Sequence, residues 1–194
     1  NKLQYLFQVD EFFWNEVMQD LENSTKRRFS RVITDNRKFS YKDLAKRKLS
    51  ILKPTLGNWE GSVEQVEVKA YGLPAHTQNI KHPVQFNKDE TIMVLNWTSE
   101  EIDVIGTISY NALNGHLVKN YHTSTGTQMT GKLISWNNNK FLWERTGNTP
   151  NGFLYEKCLV DVSKPGVFRH KIMDRALNGI LQPEEPEIVL KKVN

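Results

Sequence analysis

The sequence contains one cysteine, Cys158, in 194 residues. A lone thiol excludes an intramolecular disulfide, so the core alone must hold the fold. No apolar run approaches the roughly 18 residues that a membrane-spanning helix needs. Glycine is too sparse around Gly126 and Gly131 to form a phosphate-cradling loop. There is no Gly-x-Ser-x-Gly elbow and no close metal-ligand pair such as His-x-His or Cys-x-x-Cys. Glu100 and Glu101 are paired carboxylates at a turn and read as solvated. No catalytic residue and no metal ligand is assigned on these grounds, and the cofactor is left open.

What is present is ordinary for a globular domain: 38% hydrophobic and 25% charged residues. The charge, however, is unevenly placed. Between Lys26 and Lys48 ten basic residues face only Asp35 and Asp43, a net +8, so the rest of the chain carries −4 of the total +4. Basic character therefore belongs to one region. Phe29, Phe39 and Tyr41 interleave too thinly there to make a stacking platform, which argues against nucleic acid as the partner. A solvated basic arm is the commonest form of such a run; an arm docked on an acidic protein or on anionic lipid comes next, with Lys26, Arg27, Arg28, Arg31, Arg37 and Lys38 as its cationic contacts. Low cysteine and this basic portion lead to the expectation of an intracellular protein, in an organelle (mitochondrion or plastid) after removal of a leader.

Residues 1–54 read as a helical, basic N-terminal extension. Leu3, Leu6, Phe7, Phe13, Val17, Met18 and Leu21 follow helical spacing. The aromatic stripe including Phe12, Phe13 and Trp14 packs on its own domain or docks on a partner. Ser40, with Asp43 three residues on, caps a second short helix through about Leu52, ended by Pro54 and Gly57. Leu44, Ile51 and Leu52 are expected to face the core.

From Gly57 the period changes to two. Strands are expected over Asn58–Ala70, Pro83–Phe86 (weak), Thr91–Trp97, Gly152–Val162, Val167–Asp174 and Glu187–Val193. Residues 71–82 read as a long loop. The clearest stretch is a meander from Glu101 to Arg145: four alternating runs separated by Asn111–Gly115, Ser124–Gly126 and Asn137–Asn139. Nine or ten strands with short links, and the hazard of an open sheet edge, favour closure into an antiparallel up-and-down β-barrel over residues 55–194.

Leu56-Gly57-Asn58-Trp59-Glu60-Gly61, following a short helix, resembles the Gly-x-Trp signature at the first strand of lipocalins and related calycin barrels. The resemblance implies that the glycine permits a tight turn into the strand and that Trp59 closes the bottom of the barrel. It also implies a basic residue from the last strand across the indole, with Arg169 or Arg175 as the candidate. Carriers of lipids, pigments or tetrapyrroles are the function class it brings with it.

The barrel interior is the expected binding site. Trp59, Tyr110, Tyr121, Trp136, Trp143, Arg145, Tyr155 and His170 are its candidate lining residues, mixing rings with a few polar groups. Trp143 and Arg145 share a parity; if it is inward, Arg145 is a buried cation that needs an anionic partner. His116 and His122 read as surface residues, and Cys158 as a buried packing thiol. Three functions stay open: a non-enzymatic binder of a hydrophobic or amphipathic small molecule, an accessory subunit of a multiprotein complex docked through its N-terminal extension, and, behind these for want of an acid–base pair, an enzyme whose barrel cavity hosts chemistry. The first expects a cavity of roughly 300 Å³ or more, the second a filled interior.

Overall fold

A computed structural model of the protein describes residues 40–65, 67 and 75–193. The helix expected over Leu3–Leu21 and most of the basic arm lie outside the described residues, and with them Phe12, Phe13, Trp14, Lys26, Arg27, Arg28, Arg31, Arg37 and Lys38.

Helix α1 spans Tyr41–Leu49 and continues as a 3-10 helix over Ser50–Thr55. Ser40 caps it as its sequence expects: the Asp43 N–H donates to Ser40 Oγ at 3.2 Å. Lys46, Arg47 and Lys48 occupy the last turn, where their charge suits the helix dipole. Ala45, Leu49 and Leu52 are fully buried, while Leu44 and Ile51 pack only partly. All three residues expected inward therefore meet the core, Leu52 fully and Leu44 and Ile51 at its margin, and Ala45 and Leu49 add to the buried stripe.

Eleven strands follow: β1 Gly57–Gln65, β2 His76–Phe86, β3 Ile92–Thr98, β4 Asp103–Asn111, β5 His116–Thr123, β6 Gln128–Asn137, β7 Lys140–Thr149, β8 Gly152–Asp161, β9 Val167–Leu177, β10 Ile180–Leu181 and β11 Ile188–Val193. Each of β1 to β9 pairs antiparallel with the next in sequence, except that β11 enters between β9 and β1. The β8–β9 ladder, from Leu154↔Leu177 to Asp161↔Arg169, completes the ring. The result is a closed antiparallel barrel of ten strands, with β10 a short flap on the far half of β9.

The expected loop over 71–82 is corrected for residues 76–82, which belong to β2. Pro83 demotes this run when read from sequence, since proline cannot donate to a ladder. The structure accommodates it by leaving the β2–β3 ladder without bridges at His82 and Pro83. Asn96 O on β3 instead accepts from the His82 ring at 2.5 Å. A carbonyl can only accept, so Nδ1 carries the proton of a neutral His82.

Two irregularities re-aim side chains. The β6–β7 register slips between Leu133 and Ser135. On β9, Asp174 at φ 51° makes a bulge opposite β8, so two β9 residues face one of its partner. The inward parity then passes from Phe168 and Ile172 to Arg175.

One end of the barrel, here the lower, is closed by α1 and the 3-10 helix. Tyr41 Oη donates to Tyr110 O, and Lys42 and Lys46 pair with Asp89 and Glu90 in the β2–β3 turn. Ala45, Leu49 and Leu52 join Trp59, Met93, Ile108, Phe141 and Trp143 in one apolar cluster. A smaller cluster of Ile102, Tyr121, Met129 and Leu154 sits towards the opposite, upper end. Among the described residues no helix is long and apolar enough to cross a membrane.

Candidate ligand-binding site

Trp59 sits at the closed end and is almost wholly buried; its Nε1–H donates to Thr55 O at 2.9 Å. The cation across its indole is Lys192 of β11, with Nζ 5.4 Å from the ring centroid. This corrects the expectation of Arg169 or Arg175: Arg169 pairs with Glu187 outside, and Arg175 turns into the lumen. Gly57 has φ +134°, and a Cβ there would stand 2.6 Å from Lys192 Cε, so the glycine of the motif serves both the turn and the lysine's approach.

Rings rise from this floor. Trp59 meets Phe168 at 5.5 Å between centroids, Phe168 meets His82 at 5.0 Å, His82 meets Trp97 at 5.1 Å, and Trp97 meets His170 at 5.4 Å. Beyond them the upper half contains a cavity of about 130 Å³. Its apolar wall includes Leu95, Trp97, Val104, Val160, Phe168 and Ile172. Its polar wall is formed by Gln78, His82, Lys119, Tyr121, Arg145, His170, Arg175 and Glu185. A second gap, of about 30 Å³, lies in the lower half between Leu52, Met93, Ile108, Phe141 and Trp143.

The polar wall is organised by Glu156, fully buried on β8. It accepts from Arg145 Nη2 at 2.5 Å, from Arg175 Nε at 2.8 Å and from Tyr121 Oη at 3.3 Å. Arg175 also reaches Glu185 in the segment between β10 and β11. Two carboxylates thus stand against three cations, because Lys119 on β5 also points inward, 9% exposed. Its Nζ has no hydrogen bond or ion pair among the described residues and lies 5.7 Å from the Tyr121 ring centroid. Arg145 Cζ lies 5.3 Å from the same centroid. Burial first, then the neighbouring Arg145, bring the Lys119 ammonium down to about 8. Burial also lowers His82 to about 4 and holds His170 well below the usual histidine range, helped by Arg145 and Lys119, so both rings are neutral near pH 7.

Cys158 Sγ lies 3.0 Å from His170 Nε2, and the thiol is fully buried. His170 Nδ1 and Gln78 Nε2 are buried without a hydrogen-bond partner among the described residues. Buried polar atoms are rarely left so, and here they border open space. No three His, Cys, Asp or Glu side chains among the described residues group to hold a metal ion.

Of the candidates read from sequence, the structure brings Tyr121, Arg145 and His170 to the cavity. Trp59, Tyr110 and Trp143 point inward but belong to the lower apolar cluster. Two are corrected. Trp136 is 60% exposed: it stands opposite buried Phe141, but next to the β6–β7 turn at the end of its strand. Tyr155 lies on the outer face, alternating with buried Leu154 and Glu156, and donates to Glu144 at 3.2 Å. Gln78, His82, Trp97, Lys119, Glu156, Phe168 and Arg175 were missed. For Lys119 and Glu156 the signal was present: each is a charge at an apolar parity, within Leu117-x-Lys119-x-Tyr121 and Leu154-x-Glu156-x-Cys158.

The closed antiparallel barrel is consistent with a calycin-like fold. No family model and no curated protein matches the chain.

Proposed function

We propose that the protein is a non-enzymatic binder holding one compact amphipathic molecule in the upper half of its barrel. The observation that carries this reading is the 130 Å³ cavity, whose apolar wall converges on Lys119, Gln78 and His170, three groups with polar atoms unmatched among the described residues. Binding matches those atoms and removes apolar surface from water together.

The volume narrows the ligand class. A dry cavity of about 150 Å³ accepts benzene, whereas drug-sized ligands occupy about 300–1,000 Å³. The cavity therefore suits a single ring or a short chain with one polar, hydrogen-bond-accepting end. A tetrapyrrole, with four rings of comparable size, exceeds it several-fold, as does a long-chain lipid. At about 130 Å³ the space falls short of the roughly 300 Å³ expected of a carrier, so it supports a binder of a single-ring molecule and not one of the lipid, pigment or tetrapyrrole class.

Calorimetric titration with toluene, benzyl alcohol and a long-chain fatty acid tests the reading. One-to-one binding of the two small probes with a negative heat-capacity change is expected, and none of the fatty acid. Absence of any small-probe binding would sink it.

A further inference from the structure

We propose that Lys119 Nζ captures a small aldehyde as a reversible imine inside the upper cavity. The inference rests on the binding reading above and adds the chemistry of the bound molecule's polar end.

The placement of Lys119 is unlike that of the protein's other described lysines. Lys132 and Lys140 are typical of those: about half exposed and paired with Glu144 and Asp161. Lys119 is inward, unpaired among the described residues, and borders the cavity. The charged groups that face it are Arg145 from β7 and Glu156 from β8, with the Cys158 thiol of β8 and the neutral rings of His82 from β2 and His170 from β9 beside them. Glu156 is already engaged by both guanidiniums and Glu185 by Arg175, so these four charges balance among themselves and the Lys119 ammonium is left as the unmatched cation. Desolvation and an adjacent cation are the two conditions that turn a lysine from a surface charge into a nucleophile. With its ammonium at about 8, about a tenth of the molecules carry the free amine at pH 7.

The step balances without an oxidant or reductant. The Nζ lone pair adds to the carbonyl carbon, the oxygen takes up the protons released by nitrogen and departs as water, and a C=N bond joins Nζ to the former carbonyl carbon. An aromatic or short aliphatic aldehyde fits the volume and sets its apolar part against Trp97, Val104 and Ile172.

The test incubates the full chain with benzaldehyde and cyanoborohydride, then maps the reduced adduct by mass spectrometry. Lys119 is expected to label about tenfold faster than Lys132 or Lys140, with a rate that climbs with pH and levels off above about 8. Excess toluene, a non-reactive occupant, slows it. Lys119→Arg, which keeps the cation, and Lys119→Met, which removes a buried charge, both lose the fast label while remaining folded. Uniform labelling of all lysines, indifferent to toluene and to both substitutions, overturns the proposal. If toluene binds yet Lys119 stays unlabelled, the imine falls and the binding reading stands; if toluene does not bind, the two fall together.

Discussion

The two halves of the barrel solve opposite problems with the same strands. The lower half is sealed by α1 and the 3-10 helix, packs Leu49, Leu52, Trp59, Phe141 and Trp143 without interruption, and leaves a gap of about 30 Å³, near the size of one water. The upper half buries three cations and two carboxylates around a cavity of about 130 Å³. Apolar packing dominates the first, with Lys192 over Trp59 and the helix's surface ion pairs at its edge. The second is held by charge neutralisation that is incomplete at Lys119. Buried ion pairs seldom stabilise more than apolar residues of the same volume. A half-barrel built this way gives up stability, and the proposed ligand site is what that loss would serve.

The largest expected effect comes from breaking the charge cluster. Glu156→Ala leaves the Arg145 and Arg175 guanidiniums without their shared carboxylate, and a loss of about 3–5 kcal/mol is expected in denaturant unfolding. An equally buried apolar truncation below, Leu49→Ala, is expected to cost about 2–5 kcal/mol through the cavity it opens. The halves differ in how these losses depend on salt and pH: only the upper substitution alters that dependence.

Removing Lys119 should do the reverse. Its ammonium sits at about 8 in the folded chain against about 10.4 unfolded, so the unfolded state binds more protons between these values. Stability contributed by this group therefore rises with pH from about 8 to 10.4 and is lowest below 8. Lys119→Met is expected to gain about 3 kcal/mol at pH 7 relative to the parent and to lose that rise, read from unfolding curves across the window. An unchanged profile would place Nζ in water.

Acid pH probes the aromatic column that joins the halves. Burial lowers His82 to about 4 from 6.5, so the unfolded chain takes up the proton first as pH falls. The histidine's contribution is complete above 6.5 and is lost between 6.5 and 4. His82→Gln is expected to flatten that fall in part, with the remainder due to His170.

The smallest effect belongs to the floor. Lys192→Ala removes the cation over Trp59 and is expected to cost about 0.5–1 kcal/mol, measured against Lys191→Ala, its exposed neighbour on β11.

How far the sequence disclosed this molecule follows the same division. Strands β4 to β9 were legible because alternation and turn residues agree; Asn138 and Asn139, both at positive φ, make the tight turn that their identities favour. Trp59 could be placed from the Gly57-Asn58-Trp59 resemblance, while its cation comes from Lys192 on β11 because that strand, and not β9, pairs with β1. The site was harder. Arg175 turns inward only through the bulge at Asp174, and no periodicity rule anticipates a left-handed aspartate in mid-strand. Gln78 and His82 were hidden because Gly72, Pro74 and two histidines made residues 71–82 read as a loop, whereas β2 begins at His76. Trp136 and Tyr155 were drawn inward by aromatic character alone, which says nothing of parity. Charges at apolar parity, at Lys119, Arg145 and Glu156, were the better guide.

Chemical-shift mapping of the full chain titrated with toluene tests the division between the halves most directly. Saturable shifts at Trp97, Tyr121 and His170, with Leu49 and Trp143 unmoved, are expected if the upper half holds a ligand-sized space. Shifts confined to the outer face around Trp136, or none that saturate, would contradict it.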